Sequence, residues 1–311
     1  MRVLVVGGTG FVGTALCREL NDRGHTVTAL SRSPDDDDLP TEVETVMGDV
    51  TAYDSIEGAF EGQDVVVNLV ALSPLFRPDG GYDKHFEVHL GGTENVVAAA
   101  EEHGVPKLVQ QSALGADPDG DTAYIASKGQ AEQVVRDSDL ATVVMRPSVI
   151  FGEGGEFVSF TKKLAVRPAA PLPGGGDTRF QPIWLGDFTP MLADCVEGTS
   201  TGNRNSGRSG DCVEDDEHVG HEYDVGGPEV LTLADVAKMA HRADGNSFTP
   251  LPLPMALADI GLGVLGAVGG PMGRDQARSL RMDNTVADND VTAFGYDEAD
   301  LKTLGEYLGL S

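Results

Sequence analysis

Basic residues are scarce in this chain: 22 Lys and Arg stand against 50 Asp and Glu, for a formal net charge of −28. A surface so poor in cations repels nucleic acid and anionic lipid, so neither is an expected partner. The acids are spread along the whole length rather than gathered in a tail. That is the pattern of an acidic, solvated surface in molar salt, where the Debye length falls to about 3 Å, and a halophilic source is the expectation. The competing reading is a polyanion mimic or cation binder. Two local acidic runs, Asp35-Asp36-Asp37-Asp38 and Glu214-Asp215-Asp216-Glu217, fall in expected loops.

Cysteine is also sparse. Cys17, Cys195 and Cys212 form no spaced motif, which excludes a disulfide framework and points to a reducing, cytoplasmic compartment. Cys17 falls in an expected helix and reads as a small core residue. Cys212 with His218 and His221 could be drawn as a metal site. The Gly/Ser/Asn-rich, acidic stretch around it reads instead as an insertion loop at about 199–221, and no metal is expected. The chain has no uninterrupted apolar run long enough to span a bilayer. It opens inside an expected strand, so no signal peptide is expected. Met255–Val268 is apolar but broken by Asp259 and several glycines. It reads as a core or lid helix, with peripheral membrane contact or a lipid-like pocket wall as the alternative. Internal repeats are absent.

What the chain does have is a regular alternation of strand-like and helix-like segments, the mark of a parallel α/β sheet. The expected strands are Val3–Val6, Thr26–Leu30, Val43–Met47, Asp64–Val70, Lys107–Gln111 and Ala141–Arg146. Helices are expected over Phe11–Asp22, Phe86–His103 and Ala123–Asp137. Residues 1–150 therefore form one doubly wound domain. Residues 151–311 form a smaller mixed lobe, rich in glycine and proline, whose strands and helices return to the core. There Asp187–Val196 reads as a helix and His221–Val225 as a strand. Leu231–Arg242 reads as an amphipathic helix capped by Thr232, with Asp235 three residues on.

Two constellations carry chemistry. The first is Gly7-Gly8-Thr9-Gly10-Phe11-Val12-Gly13, which follows the first strand directly and opens the first helix. In that context Gly8 is expected to allow the tight turn. Gly10 lets the backbone approach a pyrophosphate, and Gly13 lets helix and strand pack closely. The free N–H groups at the helix start then face the phosphate charge. The second is Tyr124 and Lys128, four residues apart on one helix face. An ammonium beside a phenol lowers its pKa, so Tyr124 could exchange a proton at an alcohol or carbonyl oxygen. Lys128 could also reach a nicotinamide ribose. Ser112, at the end of the fifth strand, could polarise the substrate oxygen.

These motifs resemble those of the extended or atypical short-chain dehydrogenase/reductases, which are Rossmann-type folds and include epimerases and dehydratases. The resemblance implies that Gly7–Gly13 hold the dinucleotide and that Asp49 and Val50 contact the adenine ring. It places Val70, Ala71 and Leu72, after Asn68-Leu69, along the cofactor. Tyr124 and Lys128 match the catalytic pair, with Ser112 as third member, and Arg146–Gly152, with Pro147, matches the segment after the sixth strand. Further stretches, Ser112–Asp117, Phe180–Ile183, Gly226–Thr232 and Arg274–Ala277, resemble the branch of the NADPH-binding accessory subunit of respiratory complex I. One departure stands out. His89 occupies the position where extended members carry an Asn that orders a relay water. It either substitutes as a donor or is a satisfied helix residue.

The second strand ends in Ser31-Arg32-Ser33 rather than in an acid. A guanidinium and hydroxyls suit a 2′-phosphate, so NADP is expected over NAD, although the Asp35–Asp38 run opposes it. The function expected is hydride transfer at a carbonyl or carbinol carbon of a small, apolar or quinone-like substrate. Two alternatives are kept: a nucleotide-sugar epimerase or dehydratase, which needs Arg167, Arg179 or Arg274 at a diphosphate, and a non-catalytic NADPH-binding scaffold.

Overall fold

The computed structural model describes residues 1–34, 38–199, 216–253, 273–279 and 281–310. The Asp35–Asp37, Cys212 and Met255–Val268 expectations lie outside the described residues.

Seven parallel strands form the main sheet. They are β1 (Arg2–Val6), β2 (Thr26–Ser31), β3 (Glu44–Met47), β4 (Val65–Asn68), β5 (Lys107–Gln111), β6 (Ala141–Pro147) and, from late in the chain, β11 (Glu222–Val225). Between β6 and β11 the chain adds β7 (Ile150–Phe151), β8 (Ala169–Pro173), β9 (Arg179–Phe180) and β10 (Ile183–Trp184), which pair outside this sheet. The spatial order of the main sheet is β11-β6-β5-β4-β1-β2-β3. The order reverses between β1 and β4, and a ligand crevice is expected beyond the carboxyl ends of those two strands. Strand alternation assigns the two faces of the sheet. Val3, Val5, Val65 and Val67 pack against α1 (Phe11–Asp22) and α6 (Leu185–Glu197). Leu4, Val6 and Val66 face the other layer, with Val96 and Ala100 of α3 (Gly92–Glu102). These strands are apolar on both faces because helices cover both.

α1 and β5 match the sequence boundaries to the residue. The long helix expected over Phe86–His103 is different. It begins as one turn, α2 (Asp83–His85), passes through a π-turn at Phe86–Gly91, and only then continues as α3. The π-turn admits one extra residue per turn, which apolar periodicity alone does not announce. Gly92, which follows it, sits so close to Val50 that a Cβ there would meet the Val50 side chain at 2.8 Å.

α4 (Ala123–Arg136) starts at Thr122, whose hydroxyl accepts from Ile125 N–H at 3.3 Å. Buried Glu132 on α4 holds Arg146 of β6 through two bonds of 2.8 and 2.6 Å, fixing this helix against the sheet. In the second half of the chain, α5 (Glu156–Leu164) packs on α7 (Leu233–Ala243). α7 begins two residues later than the sequence pattern suggests, because Leu231–Thr232 pairs as a short strand with Arg179–Phe180. The Thr232–Asp235 capping box is present. Under the sheet, Arg23 of α1 bonds Asp194 and Glu197 of α6, each at 2.7 Å. Fully buried Lys107 pairs with Asp216 and with the Val196 carbonyl. Among the described residues no helix is long and apolar enough to cross a membrane.

Candidate active site

The glycine turn works through close approach. Gly7 takes φ +88°, so the tight turn falls on Gly7 rather than on Gly8 as the sequence suggested. Gly8 is a packing residue: a Cβ there would lie 2.6 Å from the Ala29 Cβ on β2. A Cβ on Gly13 would lie 2.1 Å from the Gly7 carbonyl oxygen, so α1 can seat on the turn only with glycine there. Gly10 is open by comparison, meeting just that same oxygen at 3.2 Å. It is the N-cap of α1, with no side-chain cap and no acid in the first turn. The first N–H groups of the helix are thus left for an anion.

Two adjoining cavities lie at the switch point. One, of about 250 Å³, is walled by Gly7, Thr9, Gly10, Ser31, Arg32, Asp49, Val50, Val70, Ala71 and Leu72. Within it the buried Ser31 hydroxyl has no partner among the described residues. Arg32 is exposed and makes no hydrogen bond or ion pair among them. Asp49 accepts from the Thr51 N–H at 3.0 Å and its hydroxyl at 2.9 Å. These bonds hold its carboxyl below the ordinary carboxylate range, with a smaller contribution from Arg32. The second cavity, of about 730 Å³, shares Gly7, Gly10, Leu69, Ala71 and Leu72 with the first. Phe11, Val12, Gly13 and Pro147 line it, as do Ser112 and Tyr124. Gly8 and Lys128 are on neither wall.

Ser112 is buried, follows β5 and is fixed by its N–H on the Met145 carbonyl at 2.8 Å. Its hydroxyl has no partner among the described residues, and neither does the Gln111 side-chain oxygen beside it. A buried hydroxyl left so is costly unless a ligand completes it. Lys128 is fully buried and donates to the Val70 carbonyl at 3.3 Å and the Gln111 carbonyl at 3.1 Å. Burial lowers its pKa to about 8, opposed by Glu132. Tyr124 does not behave as the sequence suggested. Desolvation raises its phenol to about 12, and no hydrogen bond joins it to Lys128. The ammonium is spent on carbonyls instead, so the phenol keeps its proton.

The His89 ring is satisfied at both nitrogens. Nε2 accepts from the Leu72 N–H at 2.9 Å, and Nδ1 lies 2.9 Å from the Ser127 hydroxyl. Ser127 in turn donates to the Tyr124 carbonyl at 3.0 Å. With both nitrogens engaged by Leu72 and Ser127, the ring is the satisfied helix residue of the two alternatives rather than a substitute donor for a relay water. Burial, then Lys128 and His85, push its pKa far below the usual imidazole value.

The substrate wall only partly follows the sequence. Phe157, Phe160 and Phe180 line the larger cavity, within the expected Phe151–Trp184 stretch. Met282, Asp283, Asn284 and Thr285 line it too, and nothing in the sequence singled them out. Asn284 holds this segment in place: its side-chain oxygen accepts from the Ser148 hydroxyl at 2.6 Å and the Val149 N–H at 2.9 Å. Arg179 does not reach a diphosphate position. It is tied to Asp283 at 2.8 and 2.6 Å, Arg167 bonds Asn246, and the Arg274 side chain lies outside the described residues. His218 rests on the Tyr223 hydroxyl at 2.9 Å and stacks on Phe294.

Comparison with known proteins adds to this geometry. The chain is 36% identical over 177 residues to the 2-alkyl-3-oxoalkanoate reductase of Stenotrophomonas maltophilia (strain K279a), covering 50% of this chain and 53% of that protein. It is 25% identical over 268 residues to the mitochondrial NADH dehydrogenase (ubiquinone) 1 alpha subcomplex subunit 9 of Arabidopsis thaliana, covering 82% and 61%. The chain thus spans only about half to three fifths of the length of these curated relatives. A nucleoside-diphosphate-sugar epimerase from Staphylococcus aureus superposes with a TM-score of 0.70 at 18% identity, covering 99% of each chain. The UDP-glucose 4-epimerase of Thermus thermophilus in complex with NAD gives 0.62 at 23%, covering 82% and 86%. At such identities the likeness shows the shared Rossmann-type fold alone. Residues 7–165, more than half of the sequence, match the family described as NAD(P)H-binding. With its glycine turn at the switch point of a seven-stranded parallel sheet, the chain belongs to that NAD(P)H-binding family.

Proposed function

We propose that the protein is an NAD(P)-dependent oxidoreductase acting at a carbonyl or carbinol carbon of a neutral, largely apolar small molecule. The observation that carries this reading is that Ser112 and Tyr124 share one wall of a cavity opening onto the glycine turn. A bound nicotinamide coenzyme supplies or accepts the hydride. The unpartnered Ser112 hydroxyl donates to the substrate oxygen. Tyr124, protonated up to about 12, gives its proton to that oxygen as charge develops, which suits the direction of reduction. An ammonium has three donors, and Lys128 commits two to Val70 and Gln111, leaving one for a ribose hydroxyl. Arg32 and Ser31 beside the smaller cavity favour a 2′-phosphate, hence NADP over NAD.

The lining chooses the substrate class. Among the described residues no Lys or Arg faces the larger cavity, whereas Glu156, Asp224 and Asp283 do. A diphosphate would find no cation there to neutralise it, since Arg179 is spent on Asp283, and this disfavours the nucleotide-sugar reading. The reducing, cytoplasmic setting belongs to the same proposal: Cys17 and Cys195 are buried, and no disulfide joins them among the described residues. A second reading, a coenzyme-holding scaffold, is favoured by the commitment of the Lys128 ammonium to backbone carbonyls and by the subunit relative. Purified protein with NADPH or NADH, offered neutral ketones, quinones and nucleotide sugars, separates these readings. Neutral carbonyls oxidising NADPH faster than NADH are the expected result. Tight NADPH binding without turnover of any compound overturns the enzymatic reading in favour of the scaffold, and turnover of nucleotide sugars alone overturns the substrate class.

A further inference from the structure

The strand-to-helix segment Leu69–Leu72 borders both cavities and is anchored from three directions. From β4, the Asn68 side-chain oxygen accepts from the Val70 N–H at 3.3 Å. From α4, Lys128 donates to the Val70 carbonyl. From the π-turn, His89 takes the Leu72 N–H at 2.9 Å. The other end of that same ring reaches α4 at Ser127, one turn from Tyr124. His89 is 2% exposed; Tyr124 packs edge-on against it, with ring centroids 5.4 Å apart, and the His85 ring lies tilted beside it at 5.2 Å.

The hydrogen bonds fix the tautomer. A backbone N–H can only donate, so Nε2 carries a lone pair and no proton. Nδ1 therefore carries the proton of the neutral ring and donates to Ser127, which is free to accept because its own proton goes to the Tyr124 carbonyl. A second ring proton would face the Leu72 N–H head-on. The charged or titratable groups around the ring are Lys128, His85 and Tyr124, and none offers it an anion.

We propose that His89, lifted into place by the π-turn, is a positioning residue: as a neutral Nδ1–H imidazole it ties the coenzyme-bordering segment at Leu72 to the helix that presents Tyr124. The link sets where the phenol stands relative to the bound coenzyme. Only the coenzyme readout below rests on the function proposed above.

Two substitutions separate the two bonds, because the amide atoms of Asn sit where Nδ1 does and those of Gln where Nε2 does. His89→Gln retains an acceptor for Leu72 and is expected to bind NADPH within about twofold of the native protein, whereas His89→Asn leaves that half-buried N–H without its protein acceptor and binds about tenfold more weakly. The native protein, labelled with ¹⁵N at histidine, gives an answer that does not depend on either variant folding. His89 should show one neutral Nδ1–H signal, unchanged between about pH 5 and pH 8. An Nε2–H tautomer, titration within that range, or equal NADPH affinity in the Asn and Gln variants overturns the proposal. Should the native protein bind no NADPH, the coenzyme reading fails, and the histidine spectrum still decides the tautomer on which the link depends.

Discussion

At the scale of single residues, the chemistry rests on protons that stay where burial puts them. Tyr124→Phe removes the hydroxyl and nothing else. Turnover is expected to fall at least about a hundredfold with NADPH affinity within about twofold, read by steady-state kinetics and coenzyme fluorescence. Loss of coenzyme binding instead would contradict the assigned role. Lys128 makes a stability prediction. Its native value is about 8 against 10.5 for an ordinary lysine. Between those values the unfolded chain holds a proton that the native protein has released, so stability rises with pH across that window. Above about 10 the effect reverses, because Tyr124 retains its proton to about 12 while an unfolded tyrosine loses it. Relative to Lys128→Met, the coenzyme-free native protein should therefore gain about 2 kcal/mol between pH 8 and pH 10 in chemical denaturation. Parallel pH profiles for the two proteins would refute this. That Tyr124 and Lys128 share one helix was legible in the sequence from spacing alone. What spacing could not reveal was that the ammonium prefers two strand-end carbonyls, since Val70 and Gln111 come from elsewhere in the chain.

At the scale of elements, the glycine turn divides packing from binding. Gly13→Ala drives a methyl into the Gly7 carbonyl, whereas Gly10→Ala meets one atom at a tight but tolerable 3.2 Å. Gly10→Ala is expected to melt within a few degrees of the native protein yet lose about tenfold or more in NADPH affinity. Gly13→Ala should lose about 2 kcal/mol or more of stability as well. Equal melting losses in the two variants, measured by calorimetry, would sink the division of roles. The sequence placed this turn correctly because an apolar strand, four glycines and the start of a helix pattern coincide within thirteen residues. It assigned the tight turn to Gly8 instead of Gly7 because positive φ and a neighbour's Cβ are invisible in one dimension. The π-turn escaped notice for a related reason: Val88, Val96 and Ala100 are all buried apolar residues and read as one helical face, although Val88 borders the smaller cavity while Val96 and Ala100 face the core. The Met282–Thr285 wall is polar and irregular, and it acquires meaning only through Asn284 beside Ser148.

At the scale of the molecule, a net charge of −28 sets the conditions under which the fold is stable. Like charges on a compact body repel, and salt screens them over about 3 Å at 1 M. The melting temperature should climb steadily from low to molar KCl and level off there. A flat or falling curve in differential scanning calorimetry would count against the salt-adapted reading. Buried pairs such as Arg23 with Asp194 are shielded from that screening and should contribute little to the slope.

The outermost strand, β11, is drawn from residues 222–225 and lies beside β6, while α6 from residues 185–197 covers α1. The nucleotide-binding half is thus finished by chain that leaves it at residue 151 and comes back some seventy residues later. A fragment cut at residue 165 would bare the β6 edge and strip Phe188, Met191 and Leu192 from the core they fill. Under the proposed function, coenzyme grip and pocket shape are consequently inherited together: remodelling the chain after residue 151 tugs on the sheet that carries the glycine turn, and neither can be traded between proteins as a cassette.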